Sequence, residues 1–291
     1  MVLETAIKRQ RAKRWERPTA AAAMQLTPRD EEIVRTVWRL RFVTCDQVND
    51  LFFTEGARSN CQRRLTLLFQ NGYLAKLCRA VNEPDVYFLG REAREGLKLL
   101  RSRTTSQDLV RRTRSFVQLE HVLAINDVRC RVTRASREIG QEVIDWRDQA
   151  ELVQPLRSAR LVPDGYFVLQ KRFEDRSAIA AFMLEVERSP RGPRALLQKY
   201  GRLREFYESG AYQRLFERRS LRLLVLTSSV SKEAESVWAG RLSSLAEKVG
   251  LTFARFSSQR EFLSIRPNMM LESAIWHRPG RPERIALGKL A

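Results

Sequence analysis

Two neighbouring runs restrict this chain more than anything else in it, LVPDGYFVLQ at 161–170 and AFMLEVERS at 181–189. Both are apolar, rich in β-formers and bounded by turn residues, which predicts a pair of strands. Both also carry acid where a buried strand should be apolar. Side chains alternate along a strand, so Phe182, Leu184 and Val186 share one face while Glu185 and Glu187 share the other, roughly 7 Å apart at two strand rises. If the runs pair, Asp164 joins the glutamates. Like carboxylates on one face repel unless a hard cation or a basic partner neutralises them, and an all-oxygen set suits Mg²⁺ or Mn²⁺. Pro163-Asp164-Gly165 is equally an ordinary turn, and Glu185 with Glu187 an ordinary solvent face. Past a Gly/Pro break, a helix from about 194 to 208 carries Lys199.

Charge decides what such a site would meet. Lys and Arg number 53 against 34 Asp and Glu, a formal net charge of +19 on 291 residues. That is the footprint of a polyanion binder, with double-stranded DNA as the leading partner. With 43% hydrophobic residues the chain can bury the cores of two modest domains. No apolar run approaches the roughly 20 residues of a spanning helix, and no leader-type apolar stretch follows the basic start, so a cytoplasmic protein that meets no membrane is expected. Cys45, Cys61, Cys78 and Cys130 form no CxxC pair and read as reduced thiols. His121 and His277 are the only histidines, which disfavours a zincin, a histidine-triad relaxase and a Ser-His-Asp hydrolase. No Walker loop points to NTP hydrolysis.

Residues 1–26 read as a basic flexible arm with Lys8, Arg9, Arg11, Lys13, Arg14 and Arg17, either solvated or ordering on DNA phosphates. A first domain is expected over 27–103. Thr27-Pro28 opens a helix with acids in its first turn; Thr44 caps a second; a third covers about 57–70 and stops at Asn71-Gly72. Cys61, Leu65 and Leu68 form its inner face, leaving Arg58, Ser59, Asn60, Gln62, Arg63 and Arg64 as the donor set for bases and phosphates. Short strands at 73–77 and 86–89 follow. Three helices and a hairpin predict a winged helix. A helix at 91–101 and a polar linker at 104–114 close this part.

The second domain is expected over 115–265, with a basic tail over 266–291. Its first helix, about 115–139, points Val117, Val122, Ile125, Val128 and Val132 inward, and His121, which interrupts the stripe, reads as a hydrogen-bonded core or interface residue. A strand at 143–153, the two acidic strands, the Lys199 helix, a strand at 221–227, a helix at 232–248 and a strand at 251–256 complete it. The fold class is mixed α/β, with helices on a mixed central sheet.

PDG, then LEVERS, then Lys199-Tyr200 resembles the PD-(D/E)xK core of restriction-endonuclease-like domains, and the chain from LTPRDEEIV through HVLAINDV to LRLLVLT resembles the replication-relaxation family of plasmids and integrative elements. The resemblance spans about 26–260. It implies a winged helix followed by a nuclease-like domain, linked to plasmid replication, DNA relaxation or mobilisation. Asp164 matches the PD aspartate and Glu185 the (D/E) position, whereas Glu187 stands where the motif has lysine. Lys199, about one turn into the next helix, would supply that charge. The implied chemistry is metal-assisted phosphodiester hydrolysis, with Asp164, Glu185 and Glu187 on Mg²⁺ or Mn²⁺ and Lys199 facing the phosphate. Two other readings stay open, a DNA-binding protein with a non-catalytic nuclease fold and a winged-helix transcription regulator. Partners beyond DNA would be plasmid replication or mobilisation proteins, with homo-oligomerisation left open.

Overall fold

The computed structural model describes residues 16–18, 23–80, 82–96, 116–188, 192–228 and 232–288. The chain forms two compact units, Met1–Leu119 and Glu120–Ala291.

In the first unit, α1 (Pro28–Leu40) begins at Thr27, whose side chain accepts from the Asp30 amide while the Asp30 carboxylate accepts from the Thr27 N–H at 2.7 Å. Such a capping box contributes about 1 kcal/mol. α2 (Cys45–Phe52) repeats the device with Thr44 and Gln47. α3 (Arg58–Gln70) buries Cys61, Leu65, Leu68 and Phe69. It stops before Gly72, whose φ of +79° is left-handed and suits glycine. β2 (Leu74–Leu77) and β3 (Val86–Leu89) pair antiparallel, and a two-residue strand β1 (Val43–Thr44) adds to the other edge of β3. Helix α4 (Arg91–Gly96) follows. This is the helix and strand order of a winged helix-turn-helix. β1 was beyond sequence reading, since two residues show no period. The expected continuation of α4 to residue 101 and the linker at 104–114 lie outside the described residues, as does the arm up to residue 15. Arg17 is not a free cation of that arm: it donates to the carbonyls of Phe69 and Leu74, both at 2.9 Å, and lies over the Phe69 ring.

The second unit takes in most of α5 (Phe116–Glu138), followed by β4 (Glu142–Asp148), α6 (Gln149–Leu152), β5 (Gly165–Arg172) and β6 (Ser177–Glu187). Then come α7 (Pro193–Glu208), α8 (Ala211–Phe216), β7 (Arg222–Thr227), α9 (Lys232–Lys248), β8 (Ala254–Ser258) and α10 (Gln259–Ser264). The five-stranded sheet has the order β4-β5-β6-β7-β8, antiparallel through β6 and parallel from β6 to β8. One face packs Tyr166, Met183 and Val225 against Leu196, Leu203 and Leu242 of α7 and α9. The other packs Phe167, Phe182 and Leu184 against Ala124, Val128 and Val132 of α5. Hence the sheet sits between helical layers. No helix among the described residues is long and apolar enough to cross a membrane.

Three expectations are corrected here. The strand predicted to reach residue 153 ends at Asp148, because Glu151 accepts from the Asp148 N–H and turns the chain into α6. Val117, expected inward, is 68% exposed, and the buried stripe of α5 runs instead through Leu119, Leu123, Val128 and Val132. The segment from 266 is no separate tail. Met270, Leu271, Trp276 and Leu287 are buried in the α5-side core, and backbone bridges tie His277 to Phe256 and Ile285 to Trp276. Its arginines gave it the look of a tail, but the apolar residues between them pack.

Candidate functional site

The β5–β6 register pairs Gly165 with Leu184, so the next positions along, Asp164 and Glu185, lie side by side. Asp164 donates its N–H to the Leu184 carbonyl at 3.0 Å, and its carboxylate accepts from the Val186 N–H at 2.8 Å. The turn and the acidic site are therefore the same piece of chain. The other carboxylate oxygen is 3.0 Å from Nε2 of His121, on α5. This hydrogen bond raises the His121 imidazole above its ordinary value against the opposing effect of burial.

Lys199, in the second turn of α7, donates from Nζ to Glu185 Oε2 and Glu187 Oε1, each at 2.7 Å. Asp164, Glu185 and Glu187 are 6%, 6% and 3% exposed. Burial pushes the Glu185 carboxyl up to about 7, with Asp164 and Glu187 adding repulsion and Lys199 opposing. Burial on its own would lower Lys199, yet the charges of Glu185 and Glu187 outweigh it and raise the ammonium above its usual value. The structure thus brings together all four residues that the sequence singled out, with Glu185 and Glu187 held by the Lys199 ammonium and Asp164 beside Glu185. Among the described residues no three His, Cys, Asp or Glu side chains stand as a ready metal-ligand group. Glu185 and Glu187 converge on Lys199, and both oxygens of Asp164 have partners within the protein.

These groups floor a cavity of 320 Å³. His121 faces it, and Gln149, Arg160, Gln198 and Arg202 line it as well. Sequence reasoning missed the last four, and it read His121 as a hydrogen-bonded core or interface residue without placing it at the site. His121 had left a signal, the break in the apolar stripe of α5, whereas Arg160 lies in a turn with no pattern around it.

On α3 the residues singled out divide. Ser59, Asn60, Gln62 and Arg63 are exposed, with Arg63 donating to the Asn60 side chain. Arg58 is exposed too, but is held by Asp46 at 2.6 Å. Arg64 is committed within the first unit. It forks onto the fully buried Asp30 and donates to the Gln25 carbonyl at 3.0 Å. Burial would raise the Asp30 carboxyl, but the hydrogen bonds from Arg64 and Thr27 outweigh it and hold it below the usual carboxylate value.

No curated protein matches the chain. Among solved structures, the restriction endonuclease FokI bound to DNA is similar at 12% identity and a TM-score of 0.25, over 85% of this chain and 46% of that one. The chain therefore spans less than half of that protein's length, and the likeness is too slight to bear on the site. A family model is more specific. The model described as replication-relaxation matches residues 34–218, from α1 to just past α8 and including every residue of the acidic site, so the chain belongs to the replication-relaxation family.

Proposed function

We propose that the protein binds duplex DNA through its winged helix and acts on the DNA backbone at the acidic cavity, in the replication, relaxation or mobilisation of a plasmid or integrative element. The observation that carries this reading is the convergence of Asp164, Glu185, Glu187 and Lys199 on one cavity. They come from a strand-leading turn, an adjacent strand and the following helix. The exposed polar face of α3 and the net charge of +19 support the DNA partner.

The donor chemistry fits a hard cation, because buried carboxylate oxygens gather here and burial holds Glu185 above its ordinary value, so that a bound cation would favour its ionised form. Asp164 and Glu185 would hold Mg²⁺ or Mn²⁺, which supplies Lewis-acid stabilisation of a phosphoryl oxygen when bound. Glu187 would orient the attacking water. Lys199 would donate to the phosphoryl oxygen as charge develops on it, and His121 and the Val186 N–H keep Asp164 in place.

Lys199 also supports a second reading. An ammonium that already neutralises two carboxylates suits a nuclease fold kept as a scaffold, leaving the winged helix to act as a DNA binder or transcription regulator. Both readings require duplex binding. A salt titration tests it: each neutralised phosphate contributes about −0.9 to the slope of log affinity against log salt, and Asn60→Ala or Gln62→Ala relaxes site preference by about 1–3 kcal/mol where the amide contacts a base. Affinity that is flat from low to physiological salt contradicts the proposal.

A further inference from the structure

The wall of the cavity differs in character from its acidic floor. Arg160 and Arg202 line it with Gln149 and Gln198. Lys199 below is held by Glu185 and Glu187, whereas neither arginine makes an ion pair among the described residues. Arg160 is exposed and stands at φ +52°. A residue other than glycine is uncommon in that left-handed region, and such positions collect at ligand-binding sites. Val162, two residues on, lines the same cavity and is 50% exposed. Guanidinium forks match phosphate oxygens, and an apolar shoulder beside them matches a sugar or base better than it matches a bare anion.

We infer that the cavity mouth grips a single DNA strand, Arg160 and Arg202 each holding a backbone phosphate while one nucleotide unit passes over Val162. This rests on the reading that the second unit acts on DNA, and adds to it the strand and the residues that hold it. At 320 Å³ the cavity lies at the small end of the ~300–1,000 Å³ typical of ligand sites, space for a nucleotide and not for a duplex.

The test uses the full chain and a short labelled oligodeoxynucleotide without self-complementarity, with affinity followed by fluorescence anisotropy from low to physiological salt. Arg160→Gly and Arg202→Gln are each expected to weaken binding and to flatten the log-log salt slope by about 0.7, the contribution of one phosphate on a single strand. Arg172→Ala, an exposed arginine that pairs with Glu142 and lies outside the cavity lining, leaves both quantities unchanged. Glycine accepts the backbone of position 160, so Arg160→Gly unfolds at or above the parent's temperature and its loss of affinity is not misfolding. Parent affinity and slope in both arginine variants overturn the inference. Displacement of the oligonucleotide by inorganic phosphate at equal phosphate concentration also overturns it, reducing the site to an anion pocket. Plasmid nicking by the parent is measured alongside. Flattened slopes without nicking uphold the strand grip and overturn only the cleavage reading; unchanged slopes with nicking do the reverse.

Discussion

Lys199 donates to Glu185 and Glu187 from the second turn of α7 and so places, from a helix, the positive charge that the motif carries on its strand. For that reason Glu187→Lys is a poor restoration of the motif: it sets a second ammonium beside the first and removes one of its partners. The ionisation of Glu185 gives a cleaner readout. Its folded value, about 7, lies above the ordinary 4.5, so the folded state holds a proton that the unfolded chain releases. Its contribution is full below the unfolded value and is lost as pH rises through the folded one. His121, also raised, acts with the same sign at higher pH. In metal-free buffer the melting temperature should therefore fall from pH 5 to pH 8, and Glu185→Gln should fall less. An equal fall in both would show that Glu185 is not the buried titrating group. Arg64 provides the matching test in the first unit. Arg64→Ala strands a buried carboxylate, at a cost of about 3–5 kcal/mol in urea unfolding, while Arg63→Ala stays within about 0.5 kcal/mol and changes only DNA affinity. Near-equal stabilities would leave Arg64 with the DNA-facing set. Sequence could not separate the two, since adjacent arginines on a helix differ only in which neighbour they meet, and Asp30 is 34 positions away.

At the scale of elements, the reading from sequence held where local chemistry marks the boundary. Thr27 and Thr44 announce α1 and α2 through capping boxes, Asn71-Gly72 ends α3, and alternation along 181–187 puts Glu185 and Glu187 opposite Phe182 and Leu184. It failed where the deciding partner is distant in the chain. β1 exists only because β3 lies beside it. The segment from 266 looked like a solvated basic tail because its charges are dense, yet Trp276 is wholly buried against the second core. Trp276→Ala is accordingly expected to cost about 3–5 kcal/mol, read as an earlier thermal transition. A melting curve that coincides with the parent's would return the segment to the status of an appendage.

For the whole molecule, the net charge of +19 pointed to a polyanion, and under the proposed function one compact unit would read a duplex while the other acts on its backbone. The acidic residues were legible as a set because strand alternation and a turn signature fix Asp164, Glu185 and Glu187 to neighbouring positions on one sheet. The cavity around them was not, because His121, Gln149, Arg160 and Arg202 come from elements whose packing no local pattern encodes. Supercoiled plasmid incubated with the protein and Mn²⁺ or Mg²⁺ tests the central proposal most directly. The parent should convert it to nicked circles, and Asp164→Ala and Glu185→Ala should abolish the conversion while binding duplex DNA with parent affinity. No nicked product from the parent, or equal product from the two variants, would contradict it and leave the second unit a scaffold.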